Sequence, residues 1–257
     1  GKFITDIDDE NAKRVTIQQL LTHTSGYRPD FDLGEKWTGR DGMLAALKKE
    51  KLRAAPGTKF VYSDIGFIVL GEIVHRISGD FPADEFSLLF FPSNDTSFQK
   101  VGVTPEMTPE MALGQYRRRN APTENVKGQN SYLGLKFEGD DKTGAEILRG
   151  QVHDPTAFRM GGFAGHAGLF STADDLARYC QMILNGGVAP VRQGGNLSSS
   201  EGARRTRNQR GTLPTGRVSA SIGRRILSAQ TISKMTAPYV VSETGETRGL
   251  GWEINTS

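Results

Sequence analysis

The chain contains one cysteine, two tryptophans and no long apolar run among its 257 residues. A single cysteine excludes an internal disulfide and a cysteine-based zinc cluster. No stretch approaches the roughly 20 apolar residues that a membrane-spanning helix needs. We therefore expect no membrane span in this segment. The hydrophobic content of 36% and the charged content of 24% are typical of a globular protein with a sizeable core.

The lone Cys180 falls in a predicted helix whose apolar side chains recur at helical spacing; these are Leu176, Tyr179, Ile183 and Leu184. This position predicts that Cys180 is a small buried side chain and not a reactive thiol.

The basic character of the chain is local. Residues 188–225 contain eight arginines and one acid, Glu201, a balance of +7 that leaves −4 for the rest of the +3 chain. Few apolar residues occur there, which predicts a disordered insert. Such a segment could bind anions or nucleic acid. Because no aromatic residues interleave the arginines as a stacking platform would require, a solvated loop is favoured and we expect no nucleic-acid partner.

Several helices can be predicted from their ends. Thr16 and Gln19 form a capping box, and Gly26 is the predicted stop of that short helix. Asp41 is the predicted cap of a second helix over about 42–52.

The run 66–78 is apolar on nearly every face, which predicts a buried helix. Close packing against a neighbouring helix would explain the glycines at 66 and 71. Residues 92–150 are rich in proline, glycine and polar groups, so we expect loops with short helices there.

The second half has similar signals. Ser171 and Asp174 predict a capping box before a helix that ends near Asn185. A further helix is predicted near 228–236, and Leu250–Ile254 is predicted to be a strand. The segment should be mostly helical with few strands.

Four blocks, in this order, resemble the serine beta-lactamase and penicillin-binding-protein-like hydrolases. They are Leu20-Leu21-Thr22-His23-Thr24-Ser25-Gly26, the stretch 56–79 containing Tyr62-Ser63-Asp64, the glycine-rich stretch 161–176, and Arg248-Gly249-Leu250-Gly251-Trp252. In that family a Tyr-x-Asn triplet faces a nucleophilic serine. The resemblance implies an α+β fold of the beta-lactamase/transpeptidase type. Residues 1–257 would be part of one such domain, mainly its helical subdomain plus an edge of its antiparallel sheet.

The family's first motif, Ser-x-x-Lys, and its third motif, Lys-Thr-Gly or His-Thr-Gly, are both missing from the expected places. Ser97-Phe98-Gln99-Lys100 fits the first by letter but follows Tyr62 and lies in a loop-like stretch. Lys142-Thr143-Gly144 fits the third but lacks the alternating pattern of a strand. We expect the nucleophile and its lysine upstream, and this segment alone to be inactive.

The resemblance implies that Tyr62 relays a proton to the leaving group. Asp64 replaces the usual asparagine; an ionised carboxylate only accepts hydrogen bonds, so it could hold a lysine but not donate to a substrate carbonyl. Asp64 could equally serve as a helix N-cap.

Other possible cleft residues are Ser63, Gly165 and His166. His153 and His166 could line the cleft or bind a metal, but the pattern favours structural histidines, and no cofactor or metal is expected.

The sequence thus favours a bacterial serine hydrolase that acts on an ester, peptide or lactam amide, including peptidoglycan-like substrates, through an acyl-enzyme. By resemblance it would work outside the cytoplasm, in the periplasm or secreted. Two alternatives stay open: a catalytically inert relative used for binding, and an anion-binding protein acting through residues 188–225.

Overall fold

The computed structural model describes eight stretches of the chain: 2–78, 97–98, 121–125, 147–149, 152–162, 164–190, 223–243 and 245–254. A short 3₁₀ turn at Ala12–Arg14 precedes six α-helices. These are α1 (Ile17–Leu21), α2 (Gly39–Lys49), α3 (Asp64–Ser78), α4 (Pro155–Arg159), α5 (Ala173–Leu184) and α6 (Ala229–Thr236). Seven short strands complete the described elements: β1 (Ser97–Phe98), β2 (Pro122–Asn125), β3 (Ile147–Arg149), β4 (Leu169–Phe170), β5 (Tyr239–Val240), β6 (Thr247–Gly249) and β7 (Trp252–Glu253).

The strands form antiparallel pairs, as an α+β class requires. β1 pairs with β4, β2 pairs with β3, and β5, β6 and β7 form a three-stranded sheet in chain order. The predicted strand near the C-terminal end is confirmed as β7. The residues around Ser97 were expected to form a loop, but Ser97 lies in β1, where it pairs with Phe170 of β4. Lys142–Gly144 lies outside the described residues.

The first helix follows its predicted start. Thr16 Oγ1 accepts the amide hydrogen of Gln19, and the Gln19 side chain accepts that of Thr16, which confirms the capping box. The predicted stop was wrong: α1 ends at Leu21, and the left-handed residue beyond it is His23, with φ 57°. Gly26 instead allows a close approach, because a Cβ there would lie 2.2 Å from the Ala54 carbonyl oxygen.

Helix α3 packs on α1 and forms the centre of the described core. Gly66 lies at the contact, where an added Cβ would be 3.5 Å from the Leu20 carbonyl oxygen, as the prediction of close helix packing required. The helix is not buried on every face, however, because Val74 and Ile77 near its end are exposed. The core around α3 is formed by Ile4, Ile7, Ala12, Leu20, Tyr27, Phe31, Met43, Leu47, Ile65, Ile68, Val69, Ile73, Val152, Ala157 and Ala164.

A buried carboxylate ties α2 to α3. Glu72 accepts two hydrogen bonds from Arg40, at 2.8 and 2.6 Å, and a third from Arg76 at 2.6 Å. Burial alone would raise the pKa of Glu72, but the hydrogen bonds and charges of the two arginines outweigh it and lower the pKa. Helix α2 begins before Asp41, so Asp41 lies in the first turn and is not the cap.

Helix α5 differs from its prediction in two ways. Its N-cap is Thr172, whose hydroxyl accepts the Asp175 amide hydrogen, one residue later than the predicted box at Ser171. Cys180 is exposed, which corrects the prediction of a buried thiol. The helix buries Asp175 and Met182 instead, and leaves Leu184 exposed. Apolar spacing identified an amphipathic helix but not the face that the protein covers.

The two described ends of the arginine-rich insert lie together. Val188 and Arg225 form an antiparallel bridge, and the Ala189 amide donates to the Arg224 carbonyl at 2.9 Å. Gly223 lies so close that a Cβ would be 1.9 Å from the Ala189 carbonyl oxygen. Residues 188–190 and 223–225 therefore form an ordered stem. The prediction of a disordered insert is left only for residues 191–222, which lie outside the described part. None of the described helices is long and apolar enough to cross a membrane.

Candidate active site

Tyr62 lies in a segment without regular secondary structure, directly before α3. Its side chain is 57% exposed, whereas the next residue, Ser63, is fully buried. The segment thus presents a phenol to solvent while its neighbour anchors it to the core.

Ser63 is the N-cap of α3. Its hydroxyl donates to the Arg28 carbonyl at 2.6 Å and accepts the Gly66 amide hydrogen at 3.3 Å, three residues into the helix. The following amide, that of Asp64, donates to the Pro29 carbonyl at 2.7 Å. Ser63 therefore contacts the core and not an open cleft, a correction to the expectation that it lines one. Asp64 is the first helical residue and leaves the capping position to Ser63.

His23 holds the segment on both sides of Tyr62. Its carbonyl accepts the Val61 amide hydrogen at 2.9 Å, and its Nδ1 accepts the Ser63 amide hydrogen at 2.9 Å. Its ring stacks on Tyr62 with centroids 4.3 Å apart and on Phe67 at 5.0 Å. His23 therefore fixes the backbone before and after the tyrosine as well as the tyrosine ring.

Nδ1 of His23 must stay unprotonated to accept that hydrogen bond. Burial of the ring lowers the pKa of His23 to about 4, and the positive charge of Arg248 acts in the same direction. The imidazole is therefore neutral at neutral pH. At that pH it can keep its hydrogen bond with the Ser63 amide and its stacking contact with Tyr62.

A second group of polar side chains gathers at the start of α3. Asp64, Asp154 and His166 each place a ligand-type atom within 4.8 Å of the other two. His166 Nε2 lies 2.8 Å from an Asp154 carboxylate oxygen. These residues come from three separate segments, namely the first turn of α3, the N-cap of α4 and the glycine-rich turn before β4.

Each member of this group is held by its local structure. Asp154 caps α4, where its carboxylate accepts the Ala157 amide hydrogen at 2.6 Å. The turn carrying His166 is closed by a hydrogen bond from the Ala164 amide to the Ala167 carbonyl. Gly165 lies against α3, since a Cβ there would be 2.0 Å from the Phe67 carbonyl oxygen. The glycine-rich run thus brings backbone close to α3.

The two carboxylates differ in their electrostatics. Burial raises the pKa of Asp64; His166 opposes the rise, and the charges of Asp154 and Asp30 add to it. For Asp154, burial also acts to raise the pKa, but the hydrogen bond and charge of His166, together with the backbone hydrogen bonds of Ala157 and Thr156, outweigh burial and lower the pKa. Asp30 is occupied by the buried Thr156 hydroxyl, which lies 2.8 and 3.0 Å from its two oxygens. Of the two carboxylates in the cluster, Asp64 is thus the one whose burial is not offset by hydrogen bonds and positive charge.

The structure therefore gathers most of the predicted residues around the start of α3. Asp64 and His166 meet, Gly165 packs beside them and Tyr62 precedes them. His153 is exposed and is not a member of the described cluster. The sequence did not single out Asp154, although an Asp-Pro pair at a helix start is a recognisable cap signal. Chemically, the region offers a fixed phenol, carboxylates that accept hydrogen bonds, and an imidazole.

The family model described as Beta-lactamase matches residues 3–257, and the chain belongs to this family. A protein of Escherichia coli (strain K12), provisionally named a D-alanyl-D-alanine carboxypeptidase, is 32% identical over 181 residues, 67% of this chain and 39% of that protein. The N-acetylmuramyl-L-alanine amidase of Bacillus subtilis (strain 168) is 32% identical over 182 residues, 68% of this chain and 39% of that protein. The chain spans about two fifths of these curated relatives.

Solved structures agree on the fold. A D-stereospecific amidohydrolase from Streptomyces sp. gives a TM-score of 0.53 at 14% identity, covering 97% of this chain and 59% of that one. A penicillin-binding protein from Bacillus halodurans gives 0.50 at 16% identity, covering 94% and 59%. The fold is therefore of the beta-lactamase/transpeptidase type, as predicted.

Proposed function

We propose that the complete protein is a serine hydrolase that cleaves an amide or peptide bond of a peptidoglycan-like substrate through an acyl-enzyme. The relatives named as a carboxypeptidase and as a muramyl-alanine amidase support the amide class over a simple ester. The nucleophilic serine and its lysine would lie outside these 257 residues, upstream in chain order.

The observation that carries this proposal is the placement of Tyr62. An exposed phenol normally has freedom to rotate, but this one is stacked on the buried imidazole of His23. The backbone amides on either side of it also donate to His23, that of Val61 to the carbonyl oxygen and that of Ser63 to Nδ1. Acid–base catalysis requires a proton-transferring group at a fixed position. In the proposed mechanism Tyr62 takes the proton from the attacking serine and passes it to the leaving group.

Asp64 would act as an acceptor at the same site. A carboxylate can hold a lysine ammonium close to the phenol, and a nearby cation favours the ionised phenol that the base role needs. It cannot donate a hydrogen bond to a substrate carbonyl while ionised. Recognition of the substrate amide would therefore rely on other donors of the complete protein.

The test is turnover of defined substrates by the complete protein. An N-acetylmuramyl peptide and a peptide ending in D-alanyl-D-alanine are each incubated with it, and the products are separated by mass. Release of the peptide or of D-alanine supports the proposal and identifies the bond. The 257-residue chain alone should give no product; turnover by this chain that disappears in Ser97→Ala would place the nucleophile at Ser97 instead.

The second candidate is a catalytically inert relative that binds the same class of ligand. The presence of aspartate at position 64, where the family uses asparagine, favours it. Binding of the muropeptide by the complete protein, measured by calorimetry without any product, would support this candidate and reject the first. Because peptidoglycan lies outside the cytoplasm, either role would place the protein in the periplasm or outside the cell.

A further inference from the structure

The motif at residues 248–252 lies against the part of the chain that carries His23. The amide of Gly251 donates a hydrogen bond to the carbonyl oxygen of Leu21, at 3.2 Å, two residues before His23. A Cβ atom at Gly251 would lie 4.0 Å from the ring of Phe67, which itself stacks on His23. The proposed function gives this motif no role, although the motif packs beside the residue that holds the proposed proton relay.

The side chain of Arg248 reaches the same place from β6. Its guanidinium carbon lies 5.4 Å from the centroid of the Phe60 ring, which is within the range of a cation–π contact. The Phe60 ring meets the His23 ring edge to face, with centroids 6.1 Å apart. His23 in turn stacks on Tyr62. A series of ring contacts thus connects the guanidinium with the phenol.

The positive charge of Arg248 has no carboxylate partner in the described stretches. Its Nε is buried without a hydrogen-bond partner there, and neither of its register partners, Tyr239 and Glu253, bonds its side chain. The polar groups that face the His23 imidazole are this guanidinium and the Tyr62 phenol, since the other rings against it are apolar. Burial of the ring and the charge of Arg248 both lower the pKa of His23, to about 4.

We propose that Arg248 is a positioning residue for Tyr62 and that it acts through His23, a role that rests on the proposed function of Tyr62 as the proton relay. A neutral His23 accepts the Ser63 amide hydrogen at Nδ1. A protonated ring carries a hydrogen on both nitrogens and cannot accept it. By disfavouring the second proton, the guanidinium preserves the hydrogen bond that follows the tyrosine as the pH falls.

The experiment is a pH titration of the 257-residue chain by NMR, from pH 8 to the acid limit of folding. It follows the ring signals of His23 and the amide signal of Ser63, which bonds Nδ1. The His23→Asn variant identifies the His23 signals among those of the four histidines. In the parent both signals should titrate with a midpoint of about 4. In Arg248→Gln the shared midpoint should rise by about 1 pH unit, because the repelling charge is gone.

Two control variants separate the charge of Arg248 from its packing. Arg248→Lys keeps a positive charge and should keep a midpoint near that of the parent. Arg224→Gln removes an exposed arginine of the stem and should leave the midpoint unchanged. Circular dichroism checks that each variant folds. If Arg248→Gln does not fold, Arg248→Met removes the charge while it retains an apolar chain against Phe60.

The complete protein gives the second measurement, with the N-acetylmuramyl peptide as substrate. The ratio of kcat, parent to Arg248→Gln, should roughly double between pH 7.5 and pH 5, as a midpoint shift of about 1 unit requires. KM should not follow, because the phenol transfers a proton and does not hold the substrate. In a His23→Asn background, which lacks the titrating ring, Arg248→Gln should cause no further pH-dependent loss.

Three results would overturn the proposal. The first is an unchanged His23 midpoint in Arg248→Gln. The second is an equal rise in Arg248→Lys and Arg248→Gln, which would show that packing and not charge is responsible. The third is a raised midpoint with a kcat ratio that does not depend on pH, which would separate Arg248 from Tyr62. A complete protein that forms no product rejects the proposed hydrolase instead, and the titration of the 257-residue chain still decides whether Arg248 holds the hydrogen bond of His23.

Discussion

Two regions of the molecule differ in how many apolar side chains they bury. Residues 2–78, here called the site framework, contain α1, α2 and α3 and most of the core around α3. The α5 region, residues 164–190 with 223–243 and 245–254, buries only four apolar side chains, those of Ala164, Met182, Ile232 and Val241. The framework fixes Tyr62 with contacts of its own, whereas the α5 region supplies His166 from one turn packed on α3. The position of the phenol should therefore be much less sensitive to changes in the α5 region than to changes in the framework.

The largest difference is expected from two matched helix substitutions. Ile68→Ala in α3 removes a side chain that is 1% exposed, and should lower the free energy of unfolding by about 2–5 kcal/mol. Leu184→Ala in α5 alters a side chain that is 80% exposed, and should change it by less than about 0.5 kcal/mol. Urea denaturation of the 257-residue chain measures both. Similar losses for the two variants would mean that the α5 region is as tightly packed as the framework.

His23 gives a pH test within the framework. Its pKa is about 4 in the folded protein against an ordinary 6.5, so the unfolded chain takes up a proton first as the pH falls. The parent should therefore lose stability between about pH 6.5 and pH 4 relative to variants without this group. His23→Asn tolerates a positive φ and keeps an acceptor near the Nδ1 position. His23→Ala keeps neither advantage.

At pH 7.5 the melting temperatures should fall in the order parent, His23→Asn, His23→Ala. The gap between the parent and His23→Asn should narrow as the pH is lowered to 5. A gap that stays constant over this range would show that His23 is not held neutral by its buried position.

The smallest effect is expected from the arginine-rich insert. Replacing residues 191–222 with a short Gly/Ser linker, while the stem at 188–190 and 223–225 is kept, should shift the melting temperature by no more than about 2 °C. Loop length contributes weakly to stability. Retention on heparin should fall, since most of the arginines of residues 188–225 are removed. A large loss of stability would instead show that the insert packs on the α5 region.

The sequence predicted those features that depend on neighbours in the chain. The capping box of Thr16 and Gln19 and the helix after Ser228 were found because their signals are local. The helix over 66–78 was found from its continuous apolar residues. The motif order also identified the family and the place of Tyr62, because an ordered set of motifs is more specific than any single one.

The features that were missed depend on contacts between distant segments. The Ser63 hydroxyl is buried because the Arg28 carbonyl lies beside it, and Tyr62 is fixed because His23 stacks on it. The pairing of Asp154 with His166 and their approach to Asp64 bring three segments together. No periodicity or spacing in one sequence encodes such contacts, and none could tell that Cys180 would lie on an exposed face.

The most direct test of the proposed function is the Tyr62→Phe variant of the complete protein. It keeps the ring that stacks on His23 and removes only the hydroxyl. We expect an unchanged melting temperature and a fall in kcat/KM for the N-acetylmuramyl peptide of roughly 10²-fold or more, the range for a positioned acid–base group. The matched control Tyr239→Phe removes a hydroxyl that bonds the Lys234 carbonyl in the α5 region, and should leave kcat/KM within about twofold. Turnover that Tyr62→Phe leaves unchanged would contradict the assignment of Tyr62 as the proton relay.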